Sequence, residues 1–138
     1  MQIRELDLRE LFTAYDVLVQ LRPELSYNEF EDLIYDMKHM EYKMLGIFEG
    51  AQLITYAGVA VQTNLSHKRH LHIYDLITDT RYKTKNYSQM MFEYLHDYAK
   101  IAMCENMVFA SDISEHDIGE FCVKNGCAKK QHLFVRSV

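Results

Sequence analysis

The sequence predicts an α/β fold, a mixed β-sheet with helices on both faces, in the order β-α-α-β-β-β-α-β-α-β. Three observations predict it. Apolar residues recur with a helical period over residues 8–40, switch to strand-like runs from Tyr42 to Thr78, and return to the helical period after Tyr87. Ser/Thr/Asp residues stand where the first helices should open. Strand and helix signals then alternate to the end of the chain, which is the pattern of a sheet covered by helices rather than of a bundle or a sandwich. The 138 residues read as one domain, 1–138, long enough to bury about two thirds of the surface that the unfolded chain exposes.

Residues 2–6 form a short first strand. Asp7 stands three residues before Glu10, the spacing of a capping box, and Leu8, Leu11, Phe12, Tyr15, Leu18 and Val19 then share one helical face. Arg22-Pro23 ends this helix, because the residue before a proline is pushed out of the helical region. Ser26 and Glu29 repeat the capping box, and Phe30, Leu33, Ile34, Met37 and Met40 mark a second amphipathic helix. Residues 43–48 and 53–61, rich in β-branched and aromatic side chains, flank Glu49-Gly50 as a hairpin. Residues 70–78 make the next strand, with Leu71, Ile73, Asp75 and Ile77 on one face and His72, Tyr74, Leu76 and Thr78 on the other. A central amphipathic helix, a buried strand over 107–111, a helix over 115–124 capped by Ser114 and ended by Asn125-Gly126, and a final strand over 131–138 complete the order.

The stretch 73–102 organises the rest. A strand feeds through a short turn carrying Arg81, Lys83 and Lys85 into a helix, the geometry in which free N–H groups and the helix dipole favour an anion. The chain as a whole is acidic, with a net charge of -5, so nonspecific nucleic-acid binding is not expected and the basic turn serves a small anion or nothing. The absence of a signal-peptide core, of any apolar run of about 18 residues and of a paired cysteine framework predicts a cytoplasmic protein with no membrane segment. Cys104, Cys122 and Cys127 fit neither a disulfide ladder nor a zinc pattern. His67, His70 and His72 are close together, yet no cysteine or carboxylate completes a tetrahedral set at ordinary spacing, so no metal is expected. His70 and His72 are reserve candidates for a general base, since imidazole titrates near neutral pH. Glu24, Glu29, Glu31, Asp32, Asp36 and Glu41 make the second helix acidic, which is either a solvated face or a surface that favours a cation.

Three segments together resemble the GNAT superfamily of acetyl-coenzyme-A-dependent N-acetyltransferases: LRPELSYNEF at 21–30, RHLHIYDLITDTRYKTKNYS at 69–88 and EFCVKNGC at 120–127. They are similar to the family's arginine-proline helix junction, its cofactor strand and turn, and the end of its penultimate helix. The resemblance covers nearly the whole chain. It implies a sheet splayed between the strands ending near Thr78 and starting near Met107, acetyl-CoA as cosubstrate, and acetyl transfer by direct attack of an amine. The acceptor would be a small-molecule or peptide amine, and a homodimer stays open.

The residues that would bind the cofactor are Leu76, Ile77 and Thr78 on the strand and Lys83, Thr84, Lys85, Asn86, Tyr87 and Ser88 in the turn. The family's turn reads Arg/Gln-x-x-Gly-x-Gly/Ala, and this chain has Asn86 and Ser88 where the glycines stand. Glycine lets backbone N–H groups approach phosphates closely; asparagine is the residue that best tolerates unusual φ, and serine is small. For catalysis the resemblance implies Asp75 as base, directly or through water, with a structural hydrogen-bond role as the alternative. It places Cys122, after Phe121, where the family often has a tyrosine acid. The missing glycines and tyrosine motivate an alternative function, a degenerate GNAT-fold protein that binds a ligand or protein partner without catalysis.

Overall fold

A computed structural model describes residues 1–83, 85–112 and 116–138. They form two compact units, Met1–Val108 and Phe109–Val138. The sheet has five strands: β1 (Gln2–Glu5), β2 (Lys43–Glu49), β3 (Gln52–Asn64), β4 (Lys68–Thr78) and β5 (Asn106–Phe109), adjacent in that order. The β1–β2, β2–β3 and β3–β4 pairs are antiparallel. Three long helices accompany them: α1 (Leu11–Leu18), α2 (Tyr27–Met37) and α3 (Tyr87–Ile101). A fourth, α4 (His116–Lys124), belongs to the second unit.

Both capping boxes are present. Asp7 and Glu10 close a 3-10 turn that leads into α1, and Ser26 and Glu29 satisfy each other's backbone N–H groups at the start of α2. α1 and α2 lay Leu11, Val17, Phe30 and Ile34 on Phe48 and Leu53 to make one apolar layer. The opposite sheet face carries Leu71 and Ile73, buried like Met91 and Leu95 of α3, which packs on β3 and β4. β3 is the central strand, and its residues from Leu53 to Ala60 are all buried.

Two expectations are corrected. Residues 131–138 form no strand, and Leu133, Phe134 and Val135 are exposed. Alternating character is necessary for a half-buried strand, but the ladder needs a partner edge that the segment's own sequence does not supply. The two faces of β4 are also not the ones that strict alternation predicts. Asp75 pairs with Gly58 but Ile73 pairs with Val59, so Tyr74 is an extra residue, a β-bulge. Beyond it the parity reverses. His70, His72, Asp75 and Ile77 share the α1/α2 face, and Leu71, Ile73, Leu76 and Thr78 share the α3 face. Ser114, the expected cap of α4, lies outside the described residues, whereas Gly126 at φ 88° ends that helix as expected.

Gly58 is required by the packing opposite the bulge. A Cβ built there would land on the hydroxyl of Tyr42, which is itself buried and hydrogen-bonded. Gly58→Ala should therefore destabilise the fold by about 1–3 kcal/mol, read from the urea midpoint at unchanged slope, whereas alanine at half-buried Gly119 inside α4, which meets nothing within 4 Å, should not destabilise it.

Candidate active site

Asp75 is 7% exposed and its carboxylate is fully engaged. Arg22 Nε–H donates to Oδ1 at 2.7 Å and the Tyr42 hydroxyl donates to Oδ2 at 3.1 Å. Since the one Tyr42 proton goes to Asp75, the 2.8 Å contact between the Tyr42 and Tyr56 hydroxyls runs from Tyr56 to Tyr42. Arg22 also reaches the carbonyl of Tyr74, the bulged residue, at 3.4 Å. Burial pushes the Tyr42 and Tyr56 hydroxyls well above the ordinary tyrosine range, so both remain protonated donors. The arginine-proline junction after α1 is thus bolted to β4 at its bulge.

Beside this network on the same face, the His72 ring stacks on Tyr74 with centroids 4.1 Å apart. Burial lowers the His72 pKa, with the neighbouring His70 and His67 adding to the shift, so this imidazole is neutral and a proton acceptor at physiological pH. His70 is buried and its Nδ1 lies 2.9 Å from the Lys68 carbonyl, which fixes that nitrogen as the donor. No group of three His, Cys, Asp or Glu among the described residues is arranged to hold a metal.

The turn after β4 is anchored at both ends. At its start Asp79, 2% exposed, accepts from the Arg81 backbone N–H at 3.0 Å and from the Arg81 guanidinium at 3.2 and 2.9 Å. The Thr80 N–H donates to Gln20, just after α1, at 3.0 Å. Arg81 therefore does not add to the positive charge of the turn as expected from sequence, because its immediate neighbour neutralises it. Lys83 and Lys85 are exposed; Thr84 lies outside the described residues. At the far end the Ser88 hydroxyl meets that of Thr78 at 2.7 Å, and Thr78 meets Thr55 at 2.9 Å, a relay from the first turn of α3 through β4 to β3. Asn86 occupies the N-cap without a side-chain cap bond, and the buried Tyr87 ring sends its hydroxyl to Glu49 at 3.4 Å. Leu76 and Thr78 point to the α3 face and Ile77 to the other. A cleft of about 570 Å³ opens beside the turn, between α1 and the β2–β3 hairpin, lined by Asp16, Gln20, Gln52, Asp79, Thr80 and Arg81.

Cys122 lies on α4 in the second unit, half-buried, its thiol pushed up to about 11 by burial and by the adjacent Cys127. The structure therefore gathers Arg22, Tyr42, Tyr56 and Asp75 in one cluster and Thr55, Thr78 and Ser88 in another. Sequence reasoning missed Tyr42, Tyr56, Thr55 and Asp79 as members. One signal was available: Gly58 inside an apolar strand run marks a bulge or a close approach of another group.

No protein-family profile matches the chain. A Bacillus subtilis (strain 168) protein named uncharacterized N-acetyltransferase YhdJ is 24% identical over 127 residues, covering 91% of this chain and 89% of that one. Among solved structures, a putative acetyltransferase from Agrobacterium tumefaciens str. C58 superposes with a TM-score of 0.83 at 14% identity, covering 99% of this chain and 100% of that one. The aminoglycoside N-acetyltransferase AAC(6')-Iy in complex with CoA superposes with a TM-score of 0.82 at 10% identity, covering 99% and 93%. The chain has the fold of the GNAT superfamily, the family whose motifs its sequence resembles.

The anchors of the turn carry a pH signature. Hydrogen bonding from Arg81 holds the Asp79 carboxyl below the usual carboxylate range, as Arg4 does for Glu10. A depressed folded-state pKa contributes stability that is present above the unfolded value of about 4 and is lost as pH falls through the folded value. Thermal unfolding followed from about pH 6 to pH 3 should show a falling Tm, and Asp79→Asn should lower Tm at neutral pH and flatten the acid limb. An acid limb as steep in Asp79→Asn as in the parent would place the linkage elsewhere.

Proposed function

We propose that this protein transfers an acetyl group from acetyl-CoA to the amine of a small molecule or peptide, by direct attack of the amine on the thioester. The observation that carries the reading is the path from β4 through the turn to α3, on a GNAT fold. β4 leads into an exposed pair of lysines, and the first turn of α3 is hydrogen-bonded back to β4 through Ser88 and Thr78. The residues present fit a pyrophosphate. Ser88 turns its hydroxyl inward to Thr78, so the side chain that replaces the motif's small residue leaves the approach to the backbone open. The helix dipole and first-turn N–H groups favour an anion there. In this reading Lys83 and Lys85 neutralise the phosphates, residues 84–88 cradle them, and the backbone of Leu76, Ile77 and Thr78 lines the pantetheine arm.

When bound, acetyl-CoA supplies the thioester whose carbonyl the amine attacks. The chain must then accept a proton from the amine and return one to the departing thiolate. Asp75 is a poor direct acceptor, because both oxygens are already hydrogen-bonded to Arg22 and Tyr42. We assign it the positioning of the bulge, and we assign proton acceptance to His72, on the same face and neutral. Cys122, whose raised pKa keeps it protonated at neutral pH, holds the proton that the thiolate needs. The acidic residues along α2 favour a cationic acceptor. The non-catalytic alternative is favoured by one observation, the absence of both motif glycines at Asn86 and Ser88.

Thermal unfolding with acetyl-CoA separates the two readings. At 100 times its dissociation constant the ligand should stabilise the fold by about 2.7 kcal/mol; no shift at millimolar acetyl-CoA would remove the enzyme, and a shift without turnover on an amine panel would leave a binder. The double variant Lys83→Ala/Lys85→Ala should bind coenzyme A several-fold more weakly and with a shallower salt dependence in calorimetry. His72→Gln should lower kcat by about 100-fold or more with coenzyme A affinity unchanged, and a kcat within a few-fold of the parent would move the base elsewhere.

A further inference from the structure

Two of the three cysteines face each other across the end of α4. The Cys127 N–H donates to the Cys122 carbonyl at 2.9 Å, and the Gly126 N–H donates to the Val123 carbonyl at 3.1 Å, with Gly126 at φ 88°. This pair of bonds is the Schellman motif, whose geometry brings the side chain three positions before the helix end into contact with the one two positions beyond it. In most proteins that contact joins two apolar side chains. Here the two positions are both cysteines. With standard bond lengths, the 2.9 Å backbone bond holds the two Cα atoms to within about 7 Å, the span a disulfide can bridge. Both thiols are half-buried, so a small reagent reaches them without unfolding.

We infer that Cys122 and Cys127 are a redox-modifiable dithiol, converted by a low-molecular-weight disulfide into an intrachain disulfide that seals the end of α4. The Cys127 thiolate attacks one sulfur of the reagent, forming a mixed disulfide and releasing the first small thiolate, which takes up the proton that Cys127 lost. The Cys122 thiolate then attacks the Cys127 sulfur and expels the second small thiolate, which takes up the proton of Cys122. Two protein thiols are oxidised by two electrons and one small disulfide is reduced to two thiols, so nothing further is consumed. Cys127 acts first because burial and its neighbour push the Cys122 thiol up to about 11, leaving it little thiolate at neutral pH. Ring closure is favoured because the backbone bond holds the second cysteine close by, at an effective concentration of roughly millimolar or above. The consequence for catalysis rests on the reading proposed above: a bridged Cys122 has no thiol proton to give to a departing thiolate.

The test uses the full chain in native buffer with oxidised glutathione, followed by alkylation of remaining thiols and peptide mapping by mass spectrometry. The expected product is a Cys122–Cys127 bridge with no glutathione retained on either residue, while Cys104 carries a single glutathione; dithiothreitol should reverse both. In Cys122→Ser the glutathione should be trapped on Cys127, and in Cys127→Ser modification of Cys122 should be about ten-fold slower or more than that of Cys127 in the parent. A lasting glutathione adduct on Cys122 or Cys127 of the parent, a bridge to Cys104, or a bridge that forms only in denaturant overturns the dithiol. Acetyl transfer is measured on the same samples. Loss on bridging with recovery in dithiothreitol supports both the dithiol and the acid role of Cys122, whereas bridging with unchanged transfer leaves the dithiol standing and overturns that acid role.

Discussion

The ion pair between Arg22 and Asp75 is the contact on which the rest of the site depends. An isolated carboxylate taken out of water loses several kcal/mol of solvation, and the loss is offset only when every oxygen finds a strong donor. Asp75 finds two, from the junction after α1 and from the residue just before β2. Each comes from a segment far away in sequence, so the carboxylate holds together three pieces of chain that share no local reason to meet. The Tyr42 hydroxyl that completes the arrangement fills the space above Gly58, and that glycine stands opposite Asp75 in the ladder. Removing any member leaves a buried polar group without its partner.

The bulge at Tyr74 follows from the same arrangement. Strict alternation along β4 would turn either His72 or Asp75 away from the α1/α2 face, and the extra residue keeps both on it. It simultaneously turns Thr78 toward α3, where its hydroxyl joins those of Thr55 and Ser88. One inserted residue therefore serves two ends of β4: a polar cluster on one face, and a fixed start for α3 on the other. The turn between them is held by short-range chemistry, since Asp79 binds the backbone and guanidinium of Arg81 two residues on.

In the reading proposed above, acetyl transfer needs an anion site, a proton acceptor and a proton donor, and different segments of the chain would supply them. The exposed lysines and the start of α3 offer the first. The half-buried His72, stacked on the bulged tyrosine, offers the second. Cys122 of α4 would be the third, and the dithiol inferred with Cys127 would make the same thiol sensitive to oxidation. A thiol standing in for a phenol as the acid would carry a redox liability that a tyrosine lacks.

The sequence by itself determined the elements whose cause is local. The capping boxes at Asp7 and Ser26, the amphipathic faces of α1 and α2, the hairpin at Gly50 and the glycine stop at Gly126 all follow from residues within a few positions of one another. The family resemblance likewise lay in short runs, and it located the turn and Asp75. What only the tertiary structure decided depends on residues distant along the chain. Register decided the faces of β4, because a single bulge reverses every later side chain and leaves no mark in its own strand beyond the glycine opposite. Long-range packing decided that Asp75 is paired, since Arg22 and Tyr42 approach from 53 and 33 residues away, and burial in the fold lowers the His72 pKa. The segment 131–138 has the alternation of a strand and is not one, because a hydrogen-bonded ladder is a property of two segments and the pattern belongs to only one of them.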